Sequence, residues 1–376
     1  MTIPDTPASR FIEPLDVLFL RGNQLFGEPG SYGEALMPPW PSVAAGALRT
    51  RILADDGVDL AAFAVGRVTH PQLGTPQAPG SFVLQSFQVA RQTPTGVELL
   101  MPLPADLVVS VEGSGPPRVT ALRPSALHPG IASSNPLPLA PVLAQGDERS
   151  KPASGWWLTG SGWQKYLQGH SLSGADLVHT RDLWSFDERV GVGLDGDTRG
   201  AADGKLFTTR AIAFKEGVGF AVAGTDLPES GSLRLGGDGR AAAVQKAAFV
   251  WPEPDYTALS RAQRCRIVLT SPGIFAGGWR PPGMDDDQRI SLPGLTARVV
   301  AAAVSRADTV SGWDLAARQP KPAQKTAGSG SVYWLQELDA TPDALRKLAA
   351  QGLWADPCED AQRRAEGFNR FSFAPF

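Results

Sequence analysis

The sequence is poor in the residues that build disulfide frameworks, zinc sites and histidine-based catalytic centres. Only two cysteines and four histidines occur among its 376 residues. Two cysteines, Cys265 and Cys358, exclude a disulfide-rich scaffold and a cysteine-rich zinc site, and they favour a reducing compartment. The histidines have no metal-ligating spacing. They are His70, His128, His170 and His179. We therefore expect neither a bound metal ion nor a cofactor.

The chain also lacks an excess of charge of one sign and a long apolar run. Its formal net charge is −3, whereas a free-standing, non-specific nucleic-acid binder is normally strongly basic. One local basic groove remains compatible with this charge, because binding depends on the field at the site. The longest apolar run, 299–304, is too short to cross a bilayer, and residues 1–10 contain no signal-peptide core. We expect a cytoplasmic protein without membrane association.

Glycine and proline, by contrast, are abundant, with 41 and 33 residues. They are scattered rather than periodic, which indicates many turns and loops. A hydrophobic content of 42% and a charged content of 19% are sufficient for a sizeable core. The length suggests two domains, or one domain with large insertions.

Local patterns predict strands interleaved with few helices. Residues 11–20 form an apolar run that predicts a buried strand, and a helix is expected from Pro41-Ser42 to Leu53 with Ser42 as its N-cap. Hairpins are predicted for 81–90 with 97–101 and for 206–213 with 218–223. Further strands are predicted at 264–270, 295–302, 332–335 and 371–376, with a capped helix at 341–351.

These elements predict an α+β fold with antiparallel sheets in two units. We expect a first domain at 1–249 and a second domain at 250–376. The first domain contains an insertion at about 91–185 and a projecting arm at about 186–210. Within the insertion, the proline-rich stretch 102–151 is expected to be irregular.

A GxGxxG pattern at Gly191–Gly196 is the only superficial sign of a dinucleotide site. Such a site needs the glycine turn to open a helix, but Asp197-Thr198-Arg199-Gly200 follows, which is turn chemistry. We therefore predict a glycine-rich hairpin here.

Three segments have the composition of anion-binding turns. The first is the helix start at Ser42, with Arg49 on the same face, although ordinary capping beside a solvated arginine explains it equally well. The second is the loop Arg234 to Arg240, which is alternatively a tight hairpin with incidental charge. The third runs from 315 to 336. It holds three cations and no carboxylate, and it reaches Gly328-Ser329-Gly330-Ser331 just before an apolar strand.

Several motifs, in this order and spacing, carry a family resemblance. They are Glu13-Pro14-Leu15-Asp16 with Arg21, 41–49, 189–195 with Thr198-Arg199, 204–207, 235–240, Gly312-Trp313-Asp314, 328–333 and Glu366-Gly367-Phe368-Asn369. Together they span nearly the whole chain. The chain resembles the third-subunit family of the Cmr effector complex of type III-B CRISPR systems, within the RAMP superfamily.

The resemblance implies two ferredoxin-like (RRM-like) domains with glycine-rich loops. It also implies a non-catalytic subunit that holds the 5′ repeat-derived tag of the CRISPR RNA. Its expected partners are that RNA, the large polymerase-like subunit and the first backbone subunit, with target RNA contacted at most indirectly. A near-neutral charge fits this role, because neighbouring subunits complete the groove.

We expect glycine-loop amides and nearby cations to hold sugar-phosphate groups while single-stranded bases splay into pockets. The candidate RNA-binding residues are Arg21, Ser42, Arg49, Arg189, Arg199, Lys205, Arg210, Arg234, Gly236, Gly237, Arg240, Lys321, Lys325, Ser329, Gly330 and Ser331. Those of the arm are also compatible with a protein neighbour.

Two other functions remain open. One is a metal-independent RAMP endonuclease that cuts CRISPR repeat RNA, for which His170 or His179 would supply the general acid or base. The other is a scaffold that touches only proteins.

Overall fold

The computed structural model describes residues 7–20, 22, 32–33, 35–143, 151–314 and 319–376. Its strands are β1 (Ala8–Pro14), β2 (Tyr32–Gly33), β3 (Val83–Thr93), β4 (Gly96–Pro102), β5 (Leu107–Ser110), β6 (Arg118–Ser125), β7 (Ala140–Leu143), β8 (Trp156–Leu158), β9 (Leu177–His179), β10 (Trp184–Leu194), β11 (Ala201–Phe214), β12 (Val218–Thr225), β13 (Gly231–Arg234), β14 (Ala241–Lys246), β15 (Cys265–Leu269), β16 (Arg289–Leu292), β17 (Leu295–Ala303), β18 (Asp308–Val310), β19 (Trp313–Asp314), β20 (Gln319–Pro320), β21 (Gln324–Thr326), β22 (Val332–Ala340) and β23 (Phe371–Ala374). The α-helices are α1 (Pro41–Asp55), α2 (Leu60–Ala64), α3 (Gly160–Leu167), α4 (Tyr256–Ala262), α5 (Pro342–Gln351) and α6 (Ala361–Glu366).

Two large sheets organise the chain. The N-terminal sheet has the strand order β13-β14-β1-β12-β3-β4-β8-β9, and the C-terminal sheet has the order β16-β17-β22-β15-β23. Among the described strands, only β2 and β11 pair in parallel. The α+β class with mostly antiparallel sheets is therefore confirmed. None of the helices within the described ranges is long and apolar enough to span a membrane.

Helix α1 packs on the N-terminal sheet through the face that its sequence spacing predicts. Ala45, Leu48 and Ile52 are all buried. The expected N-cap is wrong, however, because Trp40 occupies that position without a side-chain cap and Pro41 begins the helix. Proline suits this place, since its missing N–H would have no intrahelical partner. Ser42 consequently lies in the first turn rather than at the cap.

The C-terminal sheet confirms its predicted strands and helix. Strands β15, β17, β22 and β23 lie at the predicted places, and β15 is buried along its whole length. Helix α5 begins after Thr341, whose side chain accepts a hydrogen bond from the backbone N–H of Ala344. Leu345 and Leu348 on its inner face are buried against the sheet.

The proline-rich stretch 102–151 is more regular than its sequence predicts. Strands β5, β6 and β7 form a three-stranded sheet within it. Pro124 and Pro141 lie opposite each other near strand ends, where fewer ladder hydrogen bonds are lost than in a strand centre. The expectation of an irregular segment is therefore wrong for its described part.

The three-stranded sheet is attached directly to the C-terminal sheet. The backbone N–H of Leu139 donates to the carbonyl of Val300 at 3.0 Å, and that of Ala105 donates to Gly330 at 2.8 Å. One buried cluster also joins Trp163 of α3 to Trp334 of β22. The two large sheets thus share part of their core.

The strands on either side of 215–217 do not form the predicted hairpin. Strand β11 pairs with β10 and β2, whereas β12 pairs with β1 and β3 in the N-terminal sheet. The turn at 215–217 therefore passes the chain from one sheet to another. Strands β10 and β11 form the glycine-rich hairpin that 191–200 predicts, and we call this hairpin the arm.

Candidate nucleic-acid interface

Arg49 lies on α1 with its guanidinium only partly exposed. Its side chain keeps 20% of its surface accessible, and Nη1 lies 3.8 Å from Oε1 of Glu366. The guanidinium also lies over the Phe82 ring, 5.1 Å from the centroid. Burial lowers the pKa of Arg49, and the charge of Glu366 opposes this effect. Arg49 is thus a fixed cation at the edge of the core rather than a solvated side chain.

Lys321 meets the same carboxylate from a different part of the chain. Its Nζ lies 3.9 Å from Oε1 of Glu366, and 42% of the side chain is exposed. The backbone N–H of Lys321 donates to Gly312 at 2.8 Å, and its carbonyl accepts from Ser311 Oγ at 2.6 Å. Arg363 of α6 donates to the Ser311 carbonyl at 3.4 Å and ties this segment to α6. Lys321 and Arg49 thus share one anionic neighbour.

A third cation, Arg363, completes this group. Its Nη1 donates to Oε2 of Glu366 at 3.0 Å, and both side chains are 7% exposed. Arg363 also donates from Nε to the Gln324 side chain at 2.9 Å. We call Arg49, Lys321, Arg363 and Glu366 the Glu366 cluster.

Lys325 belongs to the same loop but has a more open position. It lies on β21, opposite Thr309 of β18, and is exposed. Its ammonium is therefore accessible to a phosphate. Arg318, which the sequence groups with these lysines, lies outside the described residues.

The turn Gly328–Ser331 is mostly buried instead of open. The Gly330 N–H donates to Leu269 at 2.7 Å, and the Ser331 N–H donates to Gly328 at 3.1 Å. Ser331 Oγ donates to the same carbonyl at 2.7 Å. Ser329 remains partly accessible. The amides of Gly330 and Ser331 are committed within the chain, so the expected nest of free donors is not present at those two residues.

The loop Arg234–Arg240 is a tight hairpin connection between β13 and β14. The Leu235 N–H donates to Arg240 at 2.8 Å, and the Gly237 N–H donates to Phe19 at 2.7 Å. Gly236 has φ +75, and a Cβ there would lie 2.7 Å from the Phe19 carbonyl oxygen. Its position thus requires glycine. Arg234 is exposed at the end of β13.

The ring of Phe19 brings a loop arginine and an arm arginine together. Arg240 lies over the ring at 5.0 Å and Arg189 at 5.9 Å from the centroid. Arg240 also pairs with Asp16 at 2.7 Å, and Arg189 pairs with Asp187 at 2.9 Å. The pKa of Asp16 is lowered, chiefly by the Val17 backbone N–H and further by Arg240 and Arg189.

The remaining arm candidates lie farther along the hairpin. Arg199 is exposed near its tip, with φ 55. Lys205 is exposed, and its stem lies beside Gly193, where a Cβ would come within 2.9 Å of it. Arg210 pairs with Glu188 at 2.8 Å and lies 5.0 Å from the Phe186 ring centroid. The structure therefore does not gather these three cations into one site.

The arm also exposes an apolar face. Val192 lies opposite Leu206, and Val190 lies on the same side of the hairpin. Their exposed fractions are 43%, 56% and 69%, and Leu194 near the tip is 61% exposed. Apolar side chains this exposed in a cluster are typical of a surface that binds another molecule.

The last sequence candidates do not add a site. Arg21 lies outside the described residues. His170 is exposed, whereas His179 accepts a hydrogen bond from the Arg181 N–H at 3.1 Å and packs edge-on against Trp156. Within the described ranges no three His, Cys, Asp or Glu side chains are grouped so that they could hold a metal ion.

Sequence reasoning missed Glu366, the residue that lies beside both Arg49 and Lys321. Glu366 belongs to the motif Glu366-Gly367-Phe368-Asn369, which supports the family resemblance but carries no obvious chemistry by itself. The one available signal is its position at the end of a short helix after Arg363 and Arg364, since a carboxylate there opposes the helix dipole and needs cations.

Comparison with known proteins identifies the family. The family model described as CRISPR-associated protein (Cas_Cmr3) matches residues 10–373. No curated protein matches the chain.

Solved structures also resemble it, among them chains of two Cmr complexes. One is a chain from the cryo-EM structure of the type III-B Cmr-beta complex bound to cognate target RNA and AMPPnP, with 12% identity, a TM-score of 0.45, and coverage of 98% of this chain and 99% of that chain. The other comes from the same type of complex bound to cognate target RNA, with 14% identity, a TM-score of 0.43, and coverage of 87% and 86%.

The family match extends over nearly the whole chain and confirms the resemblance that the motifs indicate. The chain belongs to the CRISPR-associated protein (Cas_Cmr3) family, the third-subunit family of the type III-B Cmr effector complex.

Proposed function

We propose that this subunit of a type III-B CRISPR effector complex binds the 5′ repeat-derived tag of the CRISPR RNA and does not cleave it. In this role it supports antiviral defence in the cytoplasm. The proposal rests on one observation above all others. Arg49 and Lys321, which lie far apart in sequence, are held next to the same carboxylate oxygen, at 3.8 and 3.9 Å.

This arrangement is suited to a phosphate. Three cations surround Glu366, so the cluster has more positive than negative charge. Lys321 is 42% exposed, and its ammonium is therefore within reach of a strand of RNA. Lys325, exposed on the same loop, extends the positive surface. Cations of this kind position the sugar-phosphate backbone without reading its sequence.

We propose a second contact at Phe19. Arg189 and Arg240 both lie over this ring, and the glycine-rich loop 234–240 adjoins it. Each arginine is paired with one carboxylate, which orients its guanidinium. Arginines positioned in this way can donate two parallel hydrogen bonds to a phosphate.

We assign docking on protein neighbours to the arm. Its exposed face of Val190, Val192, Leu194 and Leu206 is more apolar than an RNA-binding surface requires. The neighbours that we propose are the large polymerase-like subunit and the first backbone subunit. A scaffold that contacts only proteins remains the alternative, and it predicts no RNA crosslinks to Lys321, Lys325 or the 234–240 loop.

We propose a non-catalytic role because His179, one of the two histidines that the endonuclease alternative needs, has a structural explanation. His179 accepts a backbone hydrogen bond and packs on Trp156. Replacing both His170 and His179 with alanine tests the endonuclease alternative. Loss of repeat-RNA cleavage in that variant would support the endonuclease and contradict our proposal.

We also propose that each large sheet contains a ferredoxin-like unit. In the N-terminal sheet, β14-β1-β12-β3 are adjacent, and numbering these strands along the chain gives the order 4-1-3-2. In the C-terminal sheet, β23-β15-β22-β17 give the same order. Helix α1 follows the first strand of one unit, and α5 follows the third strand of the other, as in a βαββαβ fold with one helix absent from each.

The test of RNA binding is a charge-neutralising double variant, Arg49→Gln with Lys321→Gln, in the reconstituted effector complex. Its affinity for tag RNA is measured across a salt series. We expect weaker binding and a salt slope shallower by about 1.4, because each lost phosphate contact on a single strand contributes about 0.7. The matched control is Arg346→Gln with Lys347→Gln, which removes two exposed cations from α5. Equal slopes for the two variants would refute the site.

A further inference from the structure

Glu366 has an unusual position for a carboxylate in a site that is proposed to bind an anion. It is the last residue of α6, where the backbone carbonyls make a negative charge unfavourable. Its side chain is nevertheless 7% exposed. Such a carboxylate is retained only if surrounding cations compensate its burial.

The two oxygens of Glu366 have different roles. Oε2 accepts a hydrogen bond from Arg363 at 3.0 Å, and Arg363 is itself fixed by the Gln324 side chain and by the Phe368 ring, 5.1 Å away. Oε1 faces Arg49 and Lys321. One oxygen is therefore structural, and the other attracts the two cations that we assign to RNA.

The distances to Oε1 are too long for hydrogen bonds. At 3.8 and 3.9 Å, the attraction is electrostatic and leaves the donors that face Oε1 without a hydrogen bond to it. Within the described residues, the only other carboxylate in contact with the Glu366 cluster is that of Asp360. It accepts from the backbone N–H of Arg363 at 2.9 Å and from the side chain of Gln324 at 3.4 Å. Asp360 is thus engaged as the N-cap of α6.

We propose that Glu366 is a built-in counter-ion for the RNA-phosphate site. Without RNA, its Oε1 holds Arg49 and Lys321 close together and prevents their mutual repulsion from separating them. When RNA binds, a phosphate oxygen competes with Oε1 for the same two cations. Glu366 thereby limits the affinity of the site. This inference rests on the proposed function, because it concerns the same phosphate contact.

The test is Glu366→Gln, which removes the charge and retains an oxygen that can accept from Arg363. Effector complexes reconstituted with each chain are titrated with labelled single-stranded RNA of the sequence that co-purifies with the wild-type complex. We expect Glu366→Gln to bind about fivefold more tightly, because one nearby negative charge is gone. The control is Glu253→Gln, which makes the same charge change at an exposed residue outside the Glu366 cluster, and it should leave affinity unchanged.

A second measurement does not depend on the neighbouring subunits. Inorganic phosphate should raise the melting temperature of the full-length Glu366→Gln chain more than that of the wild-type chain. The rise in melting temperature is measured for each chain against the same chain without phosphate. A lower starting stability of Glu366→Gln is thereby taken into account.

The outcomes separate the inference from the function on which it rests. If Arg49→Gln with Lys321→Gln weakens RNA binding but Glu366→Gln fails to strengthen it, the counter-ion role is wrong and the RNA site stands. If the double variant has no effect on RNA binding, the RNA site itself is wrong. Weaker RNA binding by Glu366→Gln, with the phosphate effect on melting equal to that of the wild-type chain, would overturn the counter-ion role in favour of a purely structural one.

Discussion

Asp106 and Arg266 form an ion pair that is buried where the insertion meets the C-terminal sheet. Asp106 is 0% exposed and the Arg266 side chain 9% exposed. Tyr166 Oη donates to both oxygens of Asp106, at 2.9 and 3.0 Å, and its ring lies 4.4 Å from the Arg266 guanidinium carbon. Burial raises the pKa of Tyr166, so its hydroxyl remains a donor. The buried side chains of Asp106, Tyr166 and Arg266 thus join three segments that are distant in sequence.

The first prediction concerns the cost of breaking this pair. Arg266→Met should lower the free energy of unfolding by about 3–5 kcal/mol, because it leaves the Asp106 charge buried without a cation. Urea denaturation followed by tryptophan fluorescence measures the change. Arg346→Met is the control, since its partner Asp343 is 95% exposed and such pairs contribute about 0–1 kcal/mol. Similar losses in both variants would contradict a stabilising role for burial of the pair.

The second prediction concerns the turn that the sequence marks most strongly as an anion site. Gly330 has φ +86, and a Cβ there would lie 2.9 Å from the Leu103 carbonyl oxygen. Gly330→Ala should therefore destabilise the chain by about 1–3 kcal/mol, through backbone strain and the close approach. The measurement is the same denaturation experiment.

A glycine in a helix supplies the control for this substitution. A Cβ on Gly46 of α1 would meet no atom within 4 Å, and Gly46→Ala should stabilise the helix by about 0.5–1 kcal/mol. The two glycine-to-alanine changes are thus expected to have opposite signs. A neutral Gly330→Ala variant would show that the turn is not held against 103–105.

The sequence predicts well those elements whose signals are local. Thr341-Pro342 marks the start of α5, and the turn around Gly96 marks the β3–β4 hairpin, because capping and turn chemistry act within a few residues. Other expectations fail. Ser42 satisfies the rules for an N-cap, but the cap is Trp40, two residues earlier, and Pro41 begins the helix. The strands around 215–217 resemble a hairpin although they pair in different sheets.

The candidate site could likewise be predicted only in part from the sequence. Its cations and its glycine loops can be found in the sequence, because composition alone reveals them. Their grouping cannot be found in this way, since Arg49, Lys321 and Glu366 meet only after α1, the segment around Lys321 and α6 have packed together. Composition likewise does not reveal that the Gly330 amide already donates to Leu269. The contacts between distant segments decide which donors are accessible.

The third prediction concerns the apolar face of the arm. Val190 is 69% exposed, so Val190→Asp should change the free energy of unfolding by no more than about 0.5 kcal/mol. If this face docks on a neighbouring subunit, the same change buries a charge in the interface and should weaken assembly by about tenfold or more. Co-purification of the variant chain with the tagged complex measures assembly.

Val250 offers a matched control for this experiment. It is 84% exposed and lies outside the arm, so Val250→Asp adds the same charge on another surface. We expect it to assemble normally. Equal assembly of the two variants would mean that the arm face is solvent-exposed in the complex.

The fourth prediction concerns the two thiols. Cys265 is 0% exposed at the start of β15, opposite Leu335 of β22, and burial raises the pKa of its thiol. Cys358 is partly exposed. Because the thiolate is the reactive form, a disulfide reagent at pH 8 should modify one thiol in the folded chain and the second only after unfolding.

Cys358→Ser should abolish the fast reaction, and Cys265→Ser should preserve it. Raising the pH to 9 should not expose the second thiol, since both the higher pKa and the closed packing protect it. Fast reaction of two thiols in the native chain would show that the C-terminal sheet opens around β15.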